Sequence, residues 1–166
     1  IRVYAAAPGQ YKVRPSVGKA LALEEKKGIA DGSALRDFRE RVVRSKTDLL
    51  ALVGRLKRKG ARIYGIGAPS RASTLINYTG LDDGLIDSVM EVKTSHKVGK
   101  YIPGTRIPVL EESLLYREQP EYALLRSWHI AKELAENLTR KGFQGNFIAP
   151  LPSPRILNRR TLQCRN

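Results

Sequence analysis

A short apolar run, a glycine-rich turn and a helical segment follow one another directly near the middle of the chain. Residues 62–66 have the composition of a β-strand, and residues 70–78 that of a helix. The turn between them reads Gly65-Ile66-Gly67-Ala68-Pro69-Ser70. A strand that passes through a tight glycine turn into a helix is the opening unit of a parallel α/β sheet. This feature restricts the fold more than any other in the chain.

Strand and helix patterns continue to alternate after this unit. Strands are predicted at residues 85–92, 107–110, 122–126 and 147–149, and helices at residues 111–117 and 131–141. Such alternation is typical of parallel strands joined by helical crossovers. We therefore predict the α/β class: a Rossmann-like three-layer domain with a mostly parallel sheet of about five strands.

A long amphipathic helix precedes this core. Between Ser33 and Gly60 the apolar residues recur at spacings of three, four and seven, which is the helical period. Ser33 or Asp31 is suited to cap its first turn, and Gly60 to end it. We divide the chain into an entering strand, loop and long helix (1–60), a Rossmann-like nucleotide-binding core (61–152) and a basic tail (153–166).

Charge and composition narrow the range of partners. Thirty Lys and Arg residues against sixteen Asp and Glu give a net charge of +14, which attracts anions. Nucleic acid is disfavoured, because the few aromatic residues are too scattered for a stacking platform. We expect no membrane segment, since a span needs about 20 uninterrupted apolar residues. A single cysteine, Cys164, suits the reducing cytoplasm and leaves no disulfide or zinc site.

The glycine turn is the first candidate site. Gly65 and Gly67 stand where a dinucleotide fingerprint has its glycines, which let backbone amides approach a phosphate. Ser70 replaces the third glycine and Pro69 lacks an amide donor, so the turn is either a ligand site or a plain structural turn. Arg71 adds a guanidinium group suited to a pair of phosphate oxygens.

An acidic residue and a cationic loop follow the second strand. Glu91 lies a little over twenty residues beyond Gly67, where an acid in this fold often accepts hydrogen bonds from a ribose. The alternative is a surface carboxylate paired with Lys93. No acid stands between Glu91 and Glu111, and Lys97 is one of several cations in that interval. Ligands of open α/β sheets bind beyond the carboxyl ends of the strands, so we expect this loop at the mouth of the site.

Two more segments are candidates for ligand contact. The turn Tyr101-Ile102-Pro103-Gly104-Thr105 is suited to hold a sugar or phosphate, or is a simple β-turn. Ser127-Trp128-His129 follows an apolar strand. Trp128 is suited to stack on a base or sugar, and His129 to donate to phosphate or act as a general base, although a packed tryptophan with a capping histidine is equally consistent. Without a catalytic triad or a metal motif, neither hydrolysis nor metal binding is expected.

Taken together, these motifs resemble the C-terminal domain of the S-adenosylmethionine-dependent sugar C-methyltransferases. The residues that carry the resemblance are Gly65-Ile66-Gly67-Ala68, Asn77-Tyr78, Lys97-Val98-Gly99, Tyr101-Ile102-Pro103-Gly104-Thr105, Ser127-Trp128-His129 and Pro150-Leu151-Pro152. Their order and spacing agree with the family from the first residues to about Ile156. The sequence departs from the family pattern at Pro69 and Ser70, and it has Arg71 where lysine is frequent.

The resemblance implies a three-part enzyme in which a metal-binding region and an S-adenosylmethionine domain precede this one. It implies a nucleoside-diphosphate sugar in the cleft between the cofactor domain and this domain, where a carbon next to a keto group loses a proton and accepts a methyl group. The opening of the chain at Ile1, in a strand-like run without an initiator Met, also leads us to expect part of a longer protein.

By this resemblance the fragment holds the nucleotide and its diphosphate, and the cofactor binds upstream. It places Gly67, Ala68 and Arg71 at phosphate, residues 101–105 near the sugar or diphosphate, and Trp128 with His129 along the cleft. We expect no catalytic residue in this fragment, and His129 is a weak candidate for one. We also expect the isolated domain to be inactive. The alternative is a free-standing Rossmann-like module that binds a dinucleotide or S-adenosylmethionine.

Overall fold

The computed structural model describes residues 2–158 and divides into two compact units, Ile1–Val42 and Val43–Asn166. In the first unit, residues 2–14 form neither helix nor strand, so the expected entering strand is absent there. Val3 and Tyr4 are 81% and 83% exposed. A strand needs a partner strand, and no described strand pairs with these residues.

A helix that the sequence analysis did not predict occupies part of the first unit. Helix α1 (Pro15–Lys26) begins with a proline in its first turn and continues through alanine, leucine, glutamate and lysine, all strong helix formers. All of its residues are exposed. Its formation therefore depends on local propensity rather than on burial.

Helix α2 (Ser33–Arg58) is the long amphipathic helix expected from the sequence. Asp31 caps it, because its Oδ1 accepts hydrogen bonds from the Ser33 amide at 2.9 Å and the Ser33 hydroxyl at 2.8 Å, and these bonds lower the pKa of Asp31. Gly60 follows its last turn at a φ of 77°. The buried residues of α2 all belong to its second half: Leu49, Leu52, Val53 and Leu56.

The second unit contains a six-stranded sheet in the order β3-β2-β1-β4-β5-β6. Its strands are β1 (Ile63–Ile66), β2 (Ser88–Glu91), β3 (Val109–Glu111), β4 (Tyr122–Leu125), β5 (Asn146–Ala149) and β6 (Arg155–Leu157). The first five strands are parallel and β6 runs antiparallel to β5. The predicted α/β class and mostly parallel sheet are confirmed.

The sheet has one strand more than the five expected, and that strand lies in the segment assigned to a basic tail. The prolines after β5 end that strand as predicted, but the chain then returns and pairs Ile156 with Ile148. Ile156 and Leu157 are partly buried, which explains why this stretch joins the sheet. The rest of the predicted tail, with Arg159, Arg160, Cys164 and Arg165, lies outside the described residues.

Helices cover both faces of the sheet and produce three layers. On one face, α2 and α3 (Ser70–Thr79) pack on side chains such as Ile63, Val89 and Leu124. On the other, α4 (Ser113–Glu118) and α5 (Ala131–Arg140) pack on side chains such as Tyr64 and Phe147. The alternation of Ile63 and Tyr64 between the two faces is the period of a strand.

The strand order reverses between β1 and β4, which are neighbours although two strands separate them in the chain. In open α/β sheets, ligands bind in the crevice at the carboxyl ends of the strands at such a switch point. The segments that leave β1 and β4, residues 67–71 and 126–129, therefore meet at one edge. Over residues 2–158, no helix is long and apolar enough to span a membrane.

Candidate ligand site at the switch point

The turn after β1 is fixed by side chains from three other segments. The Gly67 amide donates to the Met90 carbonyl at 2.8 Å, and Gly67 has a φ of 76°, which favours glycine. In the next peptide group, the Gly67 carbonyl accepts from Arg126 Nη2 and the Ala68 amide donates to Glu91 Oε2 at 2.7 Å. Lys97 Nζ donates to the Ala68 carbonyl. The turn is therefore held rigidly, and the Ala68 amide already has an anionic partner.

Arg126 is the main site residue that the sequence analysis missed. Its side chain is fully buried, and within residues 2–158 its Nε and Nη1 have no hydrogen-bond partner. Burial lowers the pKa of Arg126 to about 10, while the nearby Glu91 carboxylate opposes this shift. Arg126 is therefore a buried cation at neutral pH. The available signal was a charged residue at the end of the apolar strand β4.

Gly65 provides the space that Arg126 occupies. A Cβ atom at Gly65 would lie 3.4 Å from Arg126 Nε and 2.9 Å from Val89 Cγ2, both side chains on the same face of the sheet. This glycine is buried within β1. Its absent side chain thus has a packing reason, whether or not a ligand also approaches the strand.

A second group of side chains lies at the surface of the same edge. Arg71, in the first turn of α3, has its Nη2 3.1 Å from Nε2 and 3.3 Å from Nδ1 of His129. Its guanidinium carbon lies 5.9 Å from the centre of the Trp128 ring, within the range of a cation–π contact. Arg71 and His129 are exposed, and Trp128 is half-buried. A cation, an imidazole and an aromatic face therefore converge across the switch point.

The structure brings most of the predicted site residues to this one edge. Lys97 contacts Ala68, only three residues before Arg71, so the cationic loop after β2 and the start of α3 share a rim. Glu91 also lies here, but its carboxylate faces the turn and accepts from the Ala68 and Val92 amides. The residues at this edge are Gly67, Ala68, Ser70, Arg71, Glu91, Lys97, Trp128 and His129.

The turn of residues 101–105 is placed differently. The Pro103 carbonyl accepts a hydrogen bond from Asn77 Nδ2 at 2.9 Å, and a Cβ at Gly104 would clash with Asn77 Oδ1. Asn77 lies seven residues beyond Ser70, which is about 10 Å along α3 from its first residue. Thr105 bonds within its own turn, through Oγ1 to the Ile102 carbonyl at 3.0 Å. The turn therefore packs on the later part of α3, while Tyr101 itself is 64% exposed.

A shallow cavity accompanies that turn. It has a volume of about 420 Å³ and is lined by Asp82, Asp83, Gly104, Thr105 and Arg106. Two of these residues form an exposed ion pair, with Arg106 Nη2 3.4 Å from Asp83 Oδ2. The two aspartates make this cavity a poor site for a phosphate. Across residues 2–158, no three His, Cys, Asp or Glu side chains are grouped to hold a metal ion.

The strand order and the helices on both faces define a Rossmann-like domain. A family model described as the C-methyltransferase C-terminal domain matches residues 1–152. C-methyltransferase NovU from Streptomyces niveus is 35% identical over 162 residues, which cover 95% of this chain and 38% of that protein. The chain therefore belongs to the family of C-methyltransferase C-terminal domains, and it spans little more than a third of the relative's length. The resemblance found from the motifs is confirmed.

Proposed function

We propose that this domain holds the nucleoside diphosphate of a nucleotide sugar, while an upstream domain of the full-length enzyme binds S-adenosylmethionine and supplies the methyl group. In this proposal the acceptor is a sugar carbon next to a keto group. The residues of this chain bind and orient the nucleotide, and the isolated domain has no methyltransferase activity. A cytoplasmic location agrees with the single cysteine.

The meeting of Arg71, Trp128 and His129 at the switch point is the observation that carries the proposal. A guanidinium group matches a pair of phosphate oxygens, and an indole face stacks on a base or sugar. Within residues 2–158, Arg71 contacts an imidazole and an aromatic ring, and neither of these neutralises its charge. A diphosphate would do so, and the net charge of +14 favours its approach.

The size of these interactions sets the expected affinity. Each charge-assisted hydrogen bond contributes roughly 1.5 to 3 kcal/mol. Three or four of them, after the entropy cost of association, correspond to a dissociation constant of about 1 μM at best. Measurable but weak binding is therefore expected from the domain alone.

Binding of a dinucleotide or of S-adenosylmethionine to this edge is the alternative, and the geometry disfavours it. Both ligands need an acid at the end of β2 to accept the ribose hydroxyls. Glu91 holds that position, but both of its carboxylate oxygens accept backbone amides, from Ala68 at 2.7 Å and Val92 at 3.2 Å. The residues present do not fit the cofactor, and we assign it to the upstream domain.

Calorimetric titration of the chain with thymidine diphosphate tests the proposal. Arg71→Ala should weaken binding roughly tenfold, since it removes a contact worth about 1.5 kcal/mol. Arg140→Ala is the matched control, because it removes the same charge from the end of α5, at the opposite edge of the sheet. Equal effects of the two substitutions would contradict a specific site. Tighter binding of NAD or S-adenosylmethionine than of thymidine diphosphate would support the alternative.

A further inference from the structure

Glu91 occupies a position that is otherwise surrounded by groups suited to an anion. Its Oε2 accepts the Ala68 amide at 2.7 Å, and its Oε1 accepts the Val92 amide at 3.2 Å. The Ala68 amide belongs to the turn between β1 and α3, where this class of fold directs backbone donors at a phosphate. A carboxylate of the protein therefore takes the place of a ligand oxygen.

Two cations contact the turn to which this carboxylate is bonded. Arg126 lies beneath the turn, fully buried, with Nε and Nη1 unpartnered within the described part of the chain. It is close enough for Glu91 to stabilise its charged form. The second cation is Lys97, whose Nζ donates to the carbonyl of Ala68. A buried guanidinium group with free donors, an ammonium group and a backbone amide are the components of a phosphate site.

The hydrogen bonds of Arg126 and Glu91 act on the two ends of one peptide group. Arg126 donates to its carbonyl, at Gly67, and Glu91 accepts from its amide, at Ala68. Two protein side chains thus hold this peptide group in place. If Glu91 leaves, Arg126 still holds the carbonyl end, and the Ala68 amide needs another acceptor.

We infer that Glu91 is a built-in anion which a phosphate group of the ligand displaces from the Ala68 amide. This inference rests on the proposed function, since it concerns the same edge of the sheet. It assigns Glu91 a role opposite to that of a ribose acceptor: its negative charge opposes phosphate binding. Glu91 then makes the site selective, because only an anion that carries more charge and more acceptor oxygens than a carboxylate replaces it.

The sign of one substitution separates these roles. In Glu91→Gln, a neutral acceptor of the same size remains next to Ala68, so the turn keeps its support. We expect inorganic pyrophosphate and thymidine diphosphate each to bind about three to ten times more tightly to this variant than to the parent chain, as measured by calorimetry. Circular dichroism checks that the variant is folded.

Glu111→Gln is the matched control. Glu111 stands beside Glu91 on the neighbouring strand β3, at the same edge, and its carboxylate bonds to the Ser113 hydroxyl instead of the turn. It therefore reports the general effect of removing one negative charge from this edge. Equal gains in the two variants would overturn the inference. Weaker binding of thymidine diphosphate to Glu91→Gln would overturn it too, in favour of ribose recognition.

A measurement on the unsubstituted chain provides an independent test. Val92 donates to Glu91 Oε1 and is itself 50% exposed at the end of β2. On addition of pyrophosphate, the amide resonances of both Ala68 and Val92 should shift, because one gains a new acceptor and the other loses its old one. A shift of Ala68 without Val92 would overturn displacement of Glu91. Absence of any binding to the parent chain and to the variant would refute the proposed function itself.

Discussion

Gly65→Ala is the substitution that most directly connects the packing of β1 with the site. The added Cβ would lie 2.9 Å from Val89 Cγ2, a distance that forces a displacement, and 3.4 Å from Arg126 Nε. Val89 is fully buried between β1 and β3, so it has little room to move. Overpacking of this kind costs about 1 to 3 kcal/mol. We expect a loss of stability in that range, measured as a lower urea midpoint with an unchanged m-value.

A double-mutant cycle checks the assigned cause. Val89→Ala alone should cost about 2 kcal/mol, since it removes two buried methyl groups. Combined with Gly65→Ala it should cost less than the sum, because the new methyl group enters the space left by Cγ2. Gly54→Ala is the control: among the described residues its Cβ would meet the end of Arg58 at an ordinary 3.6 Å, and alanine should stabilise this helix by about 0.5 to 1 kcal/mol. A neutral or stabilising Gly65→Ala, or strict additivity, would refute the reasoning.

Two further predictions concern the stability of the fold. Leu49→Ala should lower the free energy of unfolding by about 3 kcal/mol, because Leu49 is fully buried. Leu35→Ala in the same helix should have almost no effect, because Leu35 is 59% exposed. Equal urea midpoints of the two variants would contradict this account of α2. Burial, together with the hydrogen bond that its hydroxyl donates to Glu118, raises the pKa of Tyr64 to about 12. A raised pKa contributes stability that is complete below pH 10 and is lost as the pH rises toward 12. In urea unfolding, the free energy of unfolding of Tyr64→Phe should therefore fall less over that interval than that of the parent chain. An identical fall would contradict this account.

The alternation of strand and helix signals along the chain was sufficient to predict the layered architecture. The run Ile63–Ile66, its glycine turn and the helix from Ser70 required only local sequence signals, and the structure has them nearly residue for residue. Strand β6 was not predicted, because it follows two prolines that end β5. Its pairing with β5 depends on the burial of Ile156 and Leu157, which is a tertiary effect. Helix α1 was missed although its composition is strongly helical.

The chemistry of the site was only partly predictable. Arg71, Trp128 and His129 follow the ends of predicted parallel strands, so their position at one edge could be expected, whereas the pairing of β1 with β4 that brings them together could not. The hydrogen-bond partners of Glu91 could not be predicted, because the spacing of the motifs does not show whether a carboxylate faces a ligand or a backbone amide. The sequence places Arg126 at the end of an apolar strand, but a sequence pattern does not distinguish an arginine at the surface from one that is buried against a glycine.

The central claim is that the edge where β1 and β4 end binds a diphosphate. A titration of the ¹⁵N-labelled chain with thymidine diphosphate, followed by amide NMR, tests it most directly. The account predicts saturable shifts concentrated at residues 67–71 and 127–129, with smaller changes at residues 101–106. Shifts centred on residues 101–106, or none at millimolar ligand, would contradict it.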